Sequence, residues 1–142
     1  MLNKEVWLKG EYFACRYLQK KGYKIISTNA RLAHVEVDII AMQPKRLVIK
    51  ELKQEYKEGH LLKESFVAAK KQAQDVLVFV EVKARSSKAF GLPIEAVTVD
   101  KQKRIKRFAE VFVNSKQYSD MPVRFDIISV LDGLVEHIPN AF

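Results

Sequence analysis

The sequence predicts a single α/β domain in which a mixed central β-sheet is flanked by α-helices. Apolar residues recur at helical intervals near the N-terminus, which is typical of an amphipathic helix. Residues 76–82, VLVFVEV, form the most apolar run, and its length suits a buried central strand. A chain of 142 residues suits one hydrophobic core. We therefore expect one domain over residues 1–142, with a charged insertion at about 43–75.

The first elements follow from side-chain spacing. Apolar and small residues such as Gly10, Ala14 and Tyr17 predict a helix over residues 4–21, and Gly22 suits the position after its end. Residues 23–27 read as a short strand and 28–33 as a loop. The β-branched stretch at 35–42 predicts a second strand.

The insertion at about 43–75 is dense in mixed charges. Residues 47–49 suit an extension of the sheet, whereas Leu62, Phe66 and Ala69 have helical spacing. A mobile excursion is an equally good interpretation, and we assign no chemistry to this segment.

The second half has clearer boundaries. A loop is predicted at residues 86–93, and Asp100 is the predicted cap of a helix. One apolar stripe should bury that helix: Ile105, Phe108, Ala109 and Phe112. Residues 124–131 and 134–138 read as strands of a hairpin, because Asp132-Gly133 is a strong turn signal.

Charge and cysteine content limit the function classes. The net charge of +8 favours a polyanionic partner, although a merely basic surface is the alternative. Cys15 is the sole cysteine, which excludes an internal disulfide and the cysteine-based zinc site of a deaminase that His34 and Glu36 would otherwise suggest. The N-terminus has neither a signal peptide nor a membrane span, so a cytoplasmic location and no membrane partner are expected.

Two acids lie in apolar strands. Strand alternation places Asp38 on one face with Glu36 and Ile40, while Glu81 and Lys83 share a face of the next apolar strand. Buried carboxylates pair, shift their pKa or bind a metal. If the two strands are neighbours, Asp38 and Glu81 form a site for Mg²⁺ or Mn²⁺, and Lys83 assists catalysis. A salt-bridged strand end is the alternative, since Glu-x-Lys occurs three times in the chain.

The other candidate residues are cationic or aromatic. A basic cluster on the fourth helix and Arg31 are predicted to contact nucleic acid; the cluster comprises Lys103, Arg104, Lys106 and Arg107. A solvated helix face is the alternative. Tyr12, Tyr17 and Tyr23 suit stacking on bases, but packing is the preferred interpretation. We expect His60 and His137 in solvent.

Several ordered blocks carry a resemblance to a known family. KGEYFACRYLQKKGYKIISTNAR, VEVDIIA, LVFVEVKARSS, FGLPIEAVTVDKQKRI, RFDII and EHIPNAF together resemble the small bacterial YraN-type family. Their order also resembles the restriction-endonuclease-like nucleases, the PD-(D/E)xK superfamily. The blocks cover nearly the whole chain apart from the insertion, which is longer than the short hairpin expected there.

The resemblance implies a restriction-endonuclease-like fold and assigns roles to residues. Asp38 and Glu81 match the metal-binding acids, Lys83 the catalytic lysine, and Glu11 a helix acid that some relatives add to the metal site. Glu36 matches a supporting acid. The remaining matches are polar residues expected to support the site or face the substrate: Lys101, Gln102 and Arg124.

The preferred function is that of a Mg²⁺- or Mn²⁺-dependent endonuclease that hydrolyses DNA rather than RNA, including branched or non-standard structures. A non-catalytic nucleic-acid-binding module on the same scaffold is the alternative. A third interpretation is a protein-interaction adaptor that uses the insertion. A homodimer is compatible with cleavage of both strands, but the sequence does not require one.

Overall fold

The α/β fold is confirmed by a computed structural model, which describes residues 2–85, 97–115 and 117–142, with the backbone alone for residues 2–9. The elements in chain order are α1 (Leu2–Lys21), β1 (Lys24–Leu32), β2 (Val35–Gln43), α2 (Lys45–Lys57), α3 (Lys63–Gln72), β3 (Val76–Arg85), α4 (Val99–Val113), β4 (Val123–Leu131) and β5 (Leu134–Ile138). The loop predicted at 86–93 lies outside the described residues.

The five strands form one mixed sheet in the order β1-β2-β3-β4-β5. Neighbouring strands are antiparallel except β3 and β4, which are parallel and are connected through α4. The apolar strand β3 lies in the middle, as its composition predicts, because a strand flanked by others buries both of its faces.

Alternating side chains of β3 build two cores, one on each face of the sheet. Val78, Val80 and Val82 pack with Ala14 and Leu18 of α1. On the other face, Leu77 and Phe79 pack with Ile40 of β2 and with the predicted stripe of α4: Ile105, Phe108, Ala109 and the half-buried Phe112. The sheet is therefore sandwiched between α1 and α4, and a polar residue of β3 faces one helix or the other.

The predicted loop at residues 28–33 is wrong, because β1 continues to Leu32 and pairs with β2 throughout. A register irregularity occurs between Ile25 and Ser27, and Asn29 adopts a left-handed backbone conformation with φ of 51°. Asparagine tolerates this conformation better than most residues. Turn-forming residues therefore mark a distortion within the strand instead of its end.

The insertion is a pair of helices, α2 and α3, so the sheet extension predicted at residues 47–49 is wrong. Leu47 is buried in the core that faces α1, and this contact anchors α2. No residue of α3 is buried; Phe66 instead stacks on Tyr56 of α2, with ring centroids 4.8 Å apart. In the part of the chain that the structure describes, no helix has both the length and the apolar character needed to cross a bilayer.

The start of α4 and the final hairpin are defined by local hydrogen bonds and turns. The helix is capped by Thr98, whose hydroxyl accepts a hydrogen bond from the Lys101 N–H at 3.2 Å, so the predicted cap Asp100 lies inside the first turn instead. The hairpin turn is confirmed: Asp132 and Gly133 both have positive φ, 50° and 77°, as a two-residue turn of this type requires.

Candidate metal centre

Asp38 and Glu81 lie together where the pairing of β2 with β3 ends. The last paired residues at this end are Ile39 and Val80, so continuing the register places Asp38 across from Glu81. The Asp38 carboxylate accepts a hydrogen bond from the Val82 N–H at 2.8 Å. The neighbouring strands assumed in the sequence argument are thus present, and both acids face α4.

Burial makes this pair of acids electrostatically unfavourable. It raises the pKa of Asp38 from 3.8 to about 7, and the negative charge of Glu81 raises it further. The Val82 N–H and the Lys101 ammonium act in the opposite direction but do not compensate. Two carboxylates held in this way attract a cation.

Glu81 is served unequally at its two oxygens. Its Oε1 accepts a hydrogen bond from the Lys101 ammonium, and the Lys83 ammonium lies 3.6 Å from the same oxygen. Its Oε2 is buried and has no hydrogen-bond partner among the described residues. A buried acceptor without a partner is destabilising, so this oxygen is suited to a ligand.

The acids line an open cleft of about 370 Å³. Its walls combine acidic and basic side chains with two backbone segments: Glu36, Asp38, Glu81, Lys83 and Lys101 beside Val82 and Ala84. Such a cleft admits a hydrated cation together with an anionic group, because both signs of charge are present.

Glu11 is buried near this site but does not join the two acids as a ligand. Its Oε1 accepts a hydrogen bond from the Asn29 amide at 2.9 Å, and burial raises its pKa. Within the described ranges, no three His, Cys, Asp or Glu side chains lie close enough to hold a metal ion together. The three-acid ligand set implied by the resemblance is therefore not assembled.

The position of Glu11 depends on the residue before it. A Cβ atom added to Gly10 would lie 2.7 Å from the Cβ of Ala84. Glycine is required at this crossing because it lets α1 approach the end of β3. The neighbouring Glu11 is thereby brought close enough for its charge to raise the pKa of Asp38.

Asn29 is a site residue that the sequence argument missed. Its neighbours Thr28 and Ala30 pair with Ile39 and Val37, which places Asn29 across from Asp38. Its amide thus connects the helix acid to the strand beside the site. The signal available in the sequence was an asparagine within a segment interpreted as a loop.

The remaining predicted residues surround the cleft unevenly. Arg31 and Glu36 form a cross-strand ion pair at 3.0 Å on the exposed side of β1 and β2. The Gln102 amide donates to the Val97 carbonyl at 3.0 Å, and so helps to fix the start of α4. The predicted basic side chains of α4 are exposed: Lys103, Arg104, Lys106 and Arg107.

Arg124 is not part of the cleft, contrary to its predicted contact with nucleic acid. Its guanidinium donates to both carboxylate oxygens of Asp126, to the Gln43 side chain and to the Tyr23 hydroxyl, at 2.6 to 2.8 Å. Asp126 is fully buried and also contacts the His137 ring at 2.7 Å. The solvated position expected for His137 is therefore wrong. This cluster stabilises the opposite end of the sheet.

The fold and the cleft together define an α/β domain consistent with the restriction-endonuclease-like class, with a pair of carboxylates at the end of its central strands. The family model described as "Uncharacterised protein family UPF0102" matches residues 10–76 and 69–130. The chain belongs to this family, which confirms the resemblance to the YraN-type proteins.

Relatives match over the full chain. A UPF0102 protein of Dictyoglomus turgidum is 34% identical over 148 residues and covers 100% of both chains. One of Clostridioides difficile is 35% identical over 144 residues, again over 100% of both chains. One of Trichlorobacter lovleyi is 37% identical, over 99% of this chain and 91% of its own. The similarity therefore includes the elements that build the cleft.

Proposed function

We propose that this protein is a metal-dependent nuclease that hydrolyses phosphodiester bonds in DNA. The observation that carries the proposal is the meeting of Asp38 and Glu81 at the end of the β2–β3 ladder, in a cleft that also contains Lys83 and Lys101. A structural role alone does not account for two buried acids side by side, because each raises the free energy of the other.

The residues present fit a hard divalent cation. Asp38 and Glu81 supply carboxylate oxygens, which Mg²⁺ and Mn²⁺ prefer, and Glu81 Oε2 is a buried acceptor with no partner among the described residues. Two protein ligands leave positions for water and phosphate oxygens, as is usual for Mg²⁺. When bound, the cation would polarise the scissile phosphate and lower the pKa of a water molecule.

The chain's own residues supply the remaining functions. The Val82 N–H fixes the Asp38 carboxylate in one orientation. Lys83 is half-buried beside Glu81, where its ammonium is able to orient a water molecule or offset negative charge on the reacting phosphate. Glu11 acts as a support through Asn29, since its carboxylate is bonded to that side chain.

The basic face of α4 suits the phosphate backbone. Lys103, Arg104 and Arg107 are exposed on the helix whose first turn reaches the cleft through Lys101. Contacts of this kind position nucleic acid without reading its sequence. The family resemblance is the reason for naming DNA before RNA and for including branched DNA among the substrates to be tested.

The test is cleavage of end-labelled branched, single-stranded and duplex DNA, with matched RNA, in the presence of Mn²⁺ or Mg²⁺ and of a chelator. We expect cleavage that requires the metal and falls by at least about 100-fold in Asp38→Asn and in Glu81→Gln. The exposed acids in Asp120→Asn and Glu110→Gln are matched controls, which should retain activity. Undiminished cleavage by both cleft variants would rule out this mechanism.

A non-catalytic nucleic-acid-binding module is the second candidate, and the exposed cations of α4 favour it because they require no metal. It predicts salt-sensitive binding that persists in a chelator and in Asp38→Asn. Charge reversal of Lys103, Arg104 and Arg107 should abolish that binding. Binding unchanged by either set of substitutions would instead favour the adaptor interpretation.

A further inference from the structure

Lys101 occupies the place of a cation at the acidic pair. Its ammonium donates a hydrogen bond to Glu81 Oε1, whereas the Lys83 ammonium lies 3.6 Å from that oxygen, beyond hydrogen-bond distance. The two lysines also differ in origin. Lys83 is two residues from Glu81 on the same strand, while Lys101 reaches across from α4.

The backbone of Lys101 is fixed while its side chain can move. Its N–H is held by the Thr98 hydroxyl at 3.2 Å, and the amide of the next residue, Gln102, is bonded to the Val97 carbonyl. The Lys101 side chain is 36% exposed, compared with 3% for Glu81. The ammonium is thus able to leave the carboxylate for solvent without disturbing the helix.

Lys101 and a divalent cation cannot both be in contact with the same Glu81 carboxylate at no cost. Their charges have the same sign, and the interaction is weakly screened at a buried group. Binding of either cation therefore weakens the binding of the other. This competition lies on the one acid whose second oxygen is left without a partner among the described residues.

We infer that Lys101 is an exchangeable counterion, which pairs with Glu81 in the metal-free protein and is released towards a DNA phosphate when a divalent cation binds. The inference rests on the proposed function for the location of the metal and the nucleic acid. It makes Lys101 a positioning residue that couples the two ligands: the metal frees the ammonium, and a phosphate in the cleft removes it from the acid.

The direct test is titration of the DNA-free protein with Mn²⁺ by calorimetry. Lys101→Met should bind Mn²⁺ about tenfold more tightly than the wild type, a coupling of ordinary size. Lys101→Arg keeps the charge and should bind like the wild type. Lys103→Met is the matched control, because it removes an exposed cation from the same helix without touching Glu81.

The second test measures the affinity for a labelled DNA duplex with and without Mn²⁺. In the wild type Mn²⁺ should strengthen DNA binding, and this increase should shrink in Lys101→Met, because no ammonium is released. By linkage the same factor should appear as tighter Mn²⁺ binding in the presence of DNA. Lys103→Met should weaken DNA binding equally with and without the metal.

The outcomes separate this inference from the proposed function. If Asp38→Asn abolishes Mn²⁺ binding but Lys101→Met binds no more tightly than Lys103→Met, the counterion role is overturned and the metal site stands. Tighter Mn²⁺ binding by Lys101→Met without cleavage of any substrate supports the counterion role and overturns catalysis. Absence of Mn²⁺ binding in the wild type and in Lys101→Met overturns both.

Discussion

The carboxylate of Asp38 accepts the backbone N–H of Val82 at a distance of 2.8 Å, directly beyond the last paired residues of β2 and β3. A side chain thus replaces a backbone carbonyl as the acceptor at the end of the ladder. The bond satisfies the N–H and holds a negative group beside Glu81, so the feature that ends the pairing also builds the cleft.

The first prediction concerns the stability of the metal-free protein. Burial and the neighbouring Glu81 raise the pKa of Asp38 to about 7. A raised folded-state pKa lowers stability as the pH rises from the unfolded value through the folded one. Asp38→Asn should therefore increase the free energy of unfolding by about 1–3 kcal/mol at about pH 8, and have little effect at about pH 4.

Urea denaturation in the presence of a chelator measures this effect. Asparagine keeps an oxygen that can accept the Val82 N–H, so the comparison isolates the charge. Asp120→Asn, at an exposed position, should be neutral at both pH values. A loss of stability in Asp38→Asn at the higher pH would contradict the electrostatic description of the site.

The second prediction concerns the contact of α1 with β3. Gly10→Ala should lower the free energy of unfolding by about 1–2 kcal/mol, because its Cβ would overlap that of Ala84 at 2.7 Å. Helix propensity alone would favour alanine by about 1 kcal/mol, so a loss identifies the clash. Adding Ala84→Gly should recover part of it, and strictly additive effects in the double-mutant cycle would contradict the contact.

The third prediction concerns the Arg124–Asp126 cluster. Although burial acts to raise it, hydrogen bonds from His137 and Arg124 hold the pKa of Asp126 below its usual value of 3.8. The stability supplied by this acid is complete above the unfolded pKa and is lost as the pH falls through the folded value. Arg124→Met should cost about 3–5 kcal/mol near neutral pH, because it leaves a buried carboxylate without its main partner.

Acid denaturation measured by circular dichroism checks the sign. The wild type should lose stability below about pH 4, and Asp126→Asn, itself less stable near neutral pH, should show a smaller pH dependence there. If Arg124→Met were as stable as the wild type but bound DNA less tightly, the guanidinium would belong to an interface after all.

The fourth prediction concerns the basic face of α4. Replacing Lys103, Arg104 and Arg107 together by glutamine should weaken binding to duplex DNA and reduce the salt slope by up to about 0.9 per lost phosphate contact. A triple variant of exposed cations on α2 removes the same charge and is the control: Lys50, Lys53 and Lys57 to glutamine. Equal effects of the two variants would indicate that net charge, not α4, drives binding.

The fifth prediction concerns the insertion. Leu47→Ala should lower the free energy of unfolding by about 2–4 kcal/mol because Leu47 is buried in the core, with 9% of its surface exposed. Leu62→Ala, at a residue 73% exposed, should change it by less than about 0.5 kcal/mol. Equal effects, measured by thermal or urea unfolding, would show that α2 is not the anchoring helix.

The elements that could be predicted are those whose patterns are long or chemically distinctive. The apolar run of β3, the apolar stripe of α4 and the Asp132-Gly133 turn each have one dominant physical interpretation. Residues 28–33 and 47–49 were misread because short segments satisfy more than one pattern. Asn29 sits in a strand despite a turn-like conformation, and Leu47 is buried from a helix.

The site could be predicted only as far as strand parity reaches. Parity placed Asp38 and Glu81 on defined faces, but their meeting depends on which strands are neighbours and in what register. The contact of Lys101 with Glu81 depends on how α4 docks, and no local pattern specifies that. The burial of His137 likewise arises from Arg124 and Asp126, on a different strand.

The insertion begins and ends on the same rung of the sheet, since Gln43 and Val76 are paired. That rung closes one end of the β2–β3 ladder, and the two acids lie beyond the other end. Segments of different length can therefore join these strands while the chemistry stays four rungs away. The rung is a natural point for shortening the helical pair or grafting another module, at the expense of the packing that Leu47 provides.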